Sequence, residues 1–182
     1  MPGAYGGSRD PAAKGEQHMG KDVTIKFFAV GGTIDKVYFD RMSTYKVGEP
    51  GVAGILQEAN VGFAYECESI LRKDSLYMTD KDRQKIYDRV SGEKGSLIVI
   101  THGTDTMVET ARTLKGIPGK VIVLTGAMQP ARFKSSDAEF NIGAAATAVQ
   151  LLSPGVYIVM NGRVLDPDRV KKNRRLHRFE EA

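Results

Sequence analysis

From Asp22 onward, short apolar runs alternate with amphipathic stretches and glycine-marked turns. Five runs predict strands, at 23–30, 63–70, 97–101, 121–125 and 156–160. The last three are almost wholly apolar and β-branched, as parallel strands covered on both faces must be. Between them the spacing predicts helices over 52–60, 80–91, 104–114 and 137–152. The second has an identifiable start: Thr79 precedes a first turn holding Asp80 and Asp82, and Ile86 and Val90 lie four apart on one face. The order βαβαβαβαβ predicts a three-layer α/β/α sandwich with a mainly parallel, flavodoxin- or Rossmann-like sheet. Ligands are then expected just beyond the carboxyl ends of the strands.

The 182 residues suit one ordinary domain, 22–172, flanked by two segments without periodic apolar positions. Residues 1–21, rich in Gly, Ala, Pro and charge, are expected to be a flexible extension. Residues 173–182 are expected to be a basic tail. The formal charge of +4 is local: Arg163 to Arg178 hold seven Lys/Arg against two Asp/Glu, and the remainder 19 against 20. Such a run can attract phosphates, but a solvated terminus is the commoner cause, and nucleic acid is not the expected partner. No run approaches the roughly 18 apolar residues that cross a bilayer, and the start lacks a secretory pattern, so no membrane role is expected. Cys67, the only cysteine, has no internal partner, which suits a reducing cytoplasm.

The chemistry is therefore sought after each strand. Gly31-Gly32-Thr33-Ile34-Asp35 follows the first and presents a hydroxyl on a sharp turn. It carries neither G-x-G-x-x-G nor Gly-Lys-Ser/Thr, which weakens a nucleotide reading. Thr101-His102-Gly103-Thr104-Asp105-Thr106 follows the third, where Thr104 and Asp105 could serve simply as helix caps. His102 has no partner at metal-ligand spacing, so no metal is expected. Gly126-Ala127-Met128-Gln129-Pro130 follows the fourth and could turn backbone N–H groups toward a cleft. Asn161-Gly162-Arg163 after the fifth reads as a tight turn into a short outer strand, with Lys172 beyond it.

Together, Gly31-Gly32-Thr33-Ile34, Thr101 to Thr106, Gly126-Ala127-Met128, and Val159-Met160-Asn161 through Leu165-Asp166 to Lys172 resemble the amino-terminal domain of bacterial-type L-asparaginases. The same domain is similar to that of glutaminase-asparaginases and of the archaeal subunit that releases ammonia for tRNA-dependent amidation. The resemblance implies an amidohydrolase that converts L-asparagine or a related small amide to L-aspartate and ammonia through a threonine acyl-enzyme. It implies no cofactor and a homo-oligomer. Thr33 matches the nucleophile, and Tyr45 the tyrosine of a loop that covers the substrate. Thr104, Asp105 and Lys172 match a second catalytic group, in which Asp105 also holds the α-ammonium. Asp74 and Ser75 occupy the segment that contacts the amino-acid end, Gly103 and Ala127 are expected to bind substrate as well, and the backbone near Thr104 and Ala127 resembles the oxyanion site. A threonine hydroxyl is a poor nucleophile, so a proton acceptor and oxyanion donors are the physical minimum for such a reaction.

Two departures stand out. Family members continue into a second α/β domain, which supplies an acidic residue to the neighbouring subunit's site. Lys73 stands where a small residue is more usual. A non-catalytic module binding acidic amino acids, or an ammonia-releasing component of a tRNA-dependent amidotransferase, are the alternatives.

Overall fold

The computed structural model of the protein describes residues 23–38 and 45–182, so the expected extension at 1–21 lies outside the described residues. The chain runs through β1 (Thr24–Ala29), β2 (Lys36–Tyr38), β3 (Tyr45–Val47), α1 (Val52–Glu58), β4 (Ala64–Ser69) and α2 (Asp80–Ser91). It continues with β5 (Leu97–Thr101), α3 (Met107–Leu114), β6 (Val121–Thr125), α4 (Ala138–Leu151) and β7 (Gly155–Met160). Three short strands follow: β8 (Arg163–Leu165), β9 (Val170–Asn173) and β10 (Arg178–Glu181). Among the described residues no helix is long and apolar enough to cross a membrane.

One six-stranded sheet, in the order β4-β1-β5-β6-β7-β8, organises the fold. Its first five strands are parallel and β8 returns antiparallel to β7. Numbered by their own succession, the parallel strands lie in the order 2-1-3-4-5, the flavodoxin-like winding, whose direction switches between β1 and β5. Alternate side chains of the central strands feed two cores. On one face Phe28, Ile98, Ile100 and Leu124 meet Ile86 and Val90 of α2 and Met107 and Leu114 of α3. On the other Phe27, Val99 and Val123 meet Leu56 of α1 and Ile142 and Val149 of α4. Burial on both faces explains why β5 and β6 read as continuous apolar runs, whereas the edge strand β4 is half exposed and mixed in composition.

Local chemistry sets the boundaries. Thr79 caps α2 in a reciprocal box with Asp82, and the helix has the span that the sequence predicts. Asn161 (φ 54°) and Gly162 (φ 74°) form the two-residue turn that starts β8. Two expectations are corrected. The third helix begins at Met107 rather than at 104: residues 104 and 105 form a turn whose side chains are engaged by Lys172, and the Thr106 hydroxyl donates to the Ser75 carbonyl at 2.9 Å. Residues 173–182 are not a free tail: although most of them are exposed, β10 folds back on β9, Phe179 is buried, and its N–H donates to Asn161 Oδ1 at 3.1 Å.

Candidate active site

The loops after β1, β4, β5 and β6 meet where the sheet winding reverses, and missing side chains let them touch. Gly32 (φ 99°) lies so close to the Gly103 backbone that a Cβ would overlap it. A Cβ on Gly103 would overlap the Ser75 side chain, and one on Gly31 (φ 92°) would sit 2.5 Å from the Lys73 backbone. Gly126 presses in the same way on the His102 carbonyl, while the His102 N–H donates to the Thr125 carbonyl at 2.8 Å. The switch point is thus a contact of four backbone segments, and the functional side chains project from it.

Thr33 opens a short 3-10 turn and is partly exposed in a cleft of about 560 Å³, with Lys36, Met128, Gln129, Pro130, Phe133 and Ser135. Its hydroxyl makes no hydrogen bond among the described residues, whereas the next carbonyl, of Ile34, accepts the Ala131 N–H at 3.0 Å. That bond ties the turn to the loop after β6. A more apolar cleft, about 470 Å³ between α1 and α4, lies away from these strand ends.

Lys172, brought in by β9, donates to Thr104 Oγ1 at 2.7 Å and to Asp105 Oδ1 at 2.8 Å. Thr104 and Asp105 therefore serve this lysine and do not cap α3. Asp74 Oδ1 accepts the Leu76 N–H at 3.0 Å, and its Oδ2 lies 2.6 Å from Lys36 Nζ. Burial pushes the Asp74 carboxyl up, but the Lys36 contact, the Leu76 N–H and the charge of Lys172 together hold it below the usual carboxylate range. Ser75 is buried against Gly103, and Ala127 is fully buried. The N–H groups of Thr104 and Ala127 have no hydrogen-bond partner among the described residues. Tyr45 opens β3, but its side chain lies outside the described residues.

The neighbouring polar groups have structural tasks. His102 is fully buried, with Nδ1 2.7 Å from the Gly103 carbonyl and Nε2 2.8 Å from the Thr110 hydroxyl. A carbonyl can only accept, so Nδ1 carries the proton and Nε2 accepts from Thr110. Burial, reinforced by the positive charge of Arg83, pushes the imidazole down to about 4 against the pull of the Gly103 carbonyl. It holds the loop as a neutral ring. Lys73 turns away to Asp82 at 2.6 Å, so this departure does not touch the Asp74 carboxylate. Among the described residues no cluster of three His, Cys, Asp or Glu could hold a metal ion.

Sequence reasoning passes over Lys36, for which a lone lysine after a turn gives no signal. It also leaves Asp137 unassigned at the start of a helix. Asp137 accepts the Met128 N–H at 2.9 Å and the Gln129 N–H at 3.2 Å, and Asn141 donates to the Gly126 carbonyl at 3.0 Å. The start of α4 thereby shapes the loop after β6. A signal existed: Asp and Asn four apart place two polar groups on one helical turn facing the core.

Comparison with known proteins accords with this arrangement. The family model described as "Asparaginase, N-terminal" matches residues 24–180. L-asparaginase 2 of Escherichia coli is 35% identical over 166 residues, which cover 81% of this chain and 46% of that protein. A glutamyl-tRNA(Gln) amidotransferase subunit from Methanococcus vannielii is 38% identical over 101 residues, 54% of this chain and 22% of that one. The solved thermostable L-asparaginase from Thermococcus kodakarensis superposes with a TM-score of 0.76 at 30% identity, covering 87% of this chain and 51% of that one. The chain spans about half the length of the L-asparaginases it matches. Matched by this model over most of its length, and folded as these relatives are, the chain belongs to the asparaginase family, within its amino-terminal domain.

Proposed function

We propose that the protein is an amidohydrolase that converts L-asparagine, or a closely related small amide, to L-aspartate and ammonia through an acyl-enzyme on Thr33. The observation that carries this reading is the Lys172 ammonium held between Thr104 Oγ1 and Asp105 Oδ1, in the loop whose Gly103 backbone meets Gly32 of the turn that presents Thr33. In its neutral form a lysine so placed can take a proton from the Thr104 hydroxyl or from a water, and a threonine needs such a neighbour to act. Thr33 attacks the side-chain carbonyl carbon, and the oxyanion falls to the unpartnered N–H groups of Thr104 and Ala127. The Thr33 hydroxyl proton passes through a water to the amide nitrogen, which leaves as ammonia; a second water then attacks the ester as its proton is relayed through the Lys172 group to the Thr33 oxygen, which releases L-aspartate and restores the hydroxyl. Asp105 and Asp74 offer carboxylates to the α-ammonium, and Tyr45 is assigned to the covering loop. No step calls on a cofactor.

Homo-oligomerisation belongs to the same reading, as the family resemblance implies. Purified protein is expected to release ammonia from L-asparagine, and Thr33→Ala to lower kcat by about 100-fold or more. Equal release by both proteins ends the proposal. The relative named as an amidotransferase subunit keeps a second reading open, ammonia supply for tRNA amidation. Arg169, Lys171, Arg174 and Arg175 on the terminal hairpin would then bind tRNA in a steeply salt-dependent way.

A further inference from the structure

Lys36 lies three residues after Thr33, at the first position of β2, and its ammonium reaches across to Asp74 Oδ2 at 2.6 Å. Both side chains are about four-fifths covered, at 22% and 19% exposure, so the pair is shielded from competing water far better than a surface ion pair. Asp74 Oδ1 is already occupied by the Leu76 N–H within its own turn. The carboxylate is therefore fixed by two donors from different segments, one local and one from the segment that carries Thr33. Lys36 also lines the Thr33 cleft. We propose that Lys36 is a positioning residue: by clamping Asp74 Oδ2 it couples the carboxylate that receives the amino-acid end of the substrate to the turn that presents Thr33. This rests on the asparaginase reading above.

The charges around Asp74 make Lys36 the decisive partner. Lys172 on β9 acts on Asp74 through space but spends its hydrogen bonds on Thr104 and Asp105. The two cations beside Asp74 in sequence face elsewhere, Arg72 to Glu49 and Lys73 to Asp82. Without Lys36, burial acts on the carboxylate with less opposition, so the group protonates at a higher pH and loses one of the two bonds that orient it.

The test joins L-aspartate titration by calorimetry with the pH profile of asparagine hydrolysis, for the wild type, Lys36→Met, Lys36→Arg, Asp74→Asn and the Lys36→Met/Asp74→Asn double variant. Loss of one charge-assisted contact is expected to weaken aspartate binding about 10- to 100-fold in Lys36→Met. The fall in kcat/KM should lie mostly in KM, and its acid limb should move to higher pH. Lys36→Arg should recover most of the affinity, and Lys36→Met should add nothing further in the Asp74→Asn background. Wild-type binding and an unmoved acid limb in Lys36→Met overturn the inference, as does a defect of undiminished size in the double variant. Wild-type protein that binds aspartate but releases no ammonia ends the hydrolase reading alone, and the titrations still decide the role of Lys36.

Discussion

Asp35 is 4% exposed, and among the described residues its carboxylate takes one hydrogen bond, from the Gly51 N–H at 2.9 Å. Burial outweighs that bond and the charge of Arg72, and raises the group from 3.8 to about 6. The folded protein therefore binds this proton more tightly than the unfolded chain. The stabilisation is complete below about 3.8 and is lost as pH rises through about 6. A carboxamide in its place would still accept the Gly51 N–H without carrying a charge, so Asp35→Asn should raise the Tm at pH 7.5, by at most about 3 kcal/mol in stability, and gain nothing at pH 3.5. A gain of equal size at both pH values would show that burial of the charge is not the cause. His102 has the opposite sign: its imidazole is lowered from 6.5 to about 4, so its contribution is present above 6.5 and is lost as pH falls through about 4. Single residues were the least legible part of the chain. Thr33, Thr104 and Asp105 stand out as polar groups at strand ends, but the Lys172 contact spans 67 positions and no periodicity records it. Whether Thr104 caps a helix or binds an amine depends on the fold, and the same residue types suit both.

Elements were legible where burial or capping constrained them from two sides. β5 and β6 have the limits that their apolar runs predict, and α2 has those set by Thr79. The terminal hairpin was opaque for a physical reason. Its two deeply buried apolar side chains, Val170 and Phe179, each stand between charged neighbours, and its turn uses His177 at φ 47° where a glycine or asparagine would have signalled one. Yet this hairpin positions Lys172, because Phe179 pairs with Lys172 in the β9–β10 register. Phe179→Ala should cost about 3–5 kcal/mol by leaving a cavity. If the pairing holds the lysine in place, ammonia release should also fall below what the folded fraction explains, measured well below the variant's own Tm. Phe179→Leu, which keeps most of the volume, should retain both properties, and a Phe179→Ala protein active in proportion to its folded fraction would detach the hairpin from the site.

The molecule as a whole works through the place where its sheet changes direction, and glycines decide how closely the loops approach there. β/α alternation fixes parallel strands and covered faces but not which strands are neighbours, so it leaves a flavodoxin- or Rossmann-like order open; the β1–β5 contact that creates the switch point is a tertiary fact. Two kinds of glycine substitution should separate sharply as a result. Gly32 holds φ 99° and its Cβ would overlap the Gly103 backbone, so Gly32→Ala meets both a strained conformation and immovable atoms. It should lower the Tm and reduce ammonia release severely, since any relief must move either the Thr33 turn or the Thr104–Asp105 loop. Gly54 in α1 and Gly143 in α4 have open space where a Cβ would stand. Alanine there removes freedom from the unfolded chain and suits the helix, so each change should add about 0.5–1 kcal/mol and leave turnover as it is. Paired melting curves and ammonia assays on the three variants distinguish the two roles: a Gly32→Ala protein that melts and turns over like the wild type would mean that the loops have room to separate, and that their close contact does not set the geometry between Thr33 and Lys172.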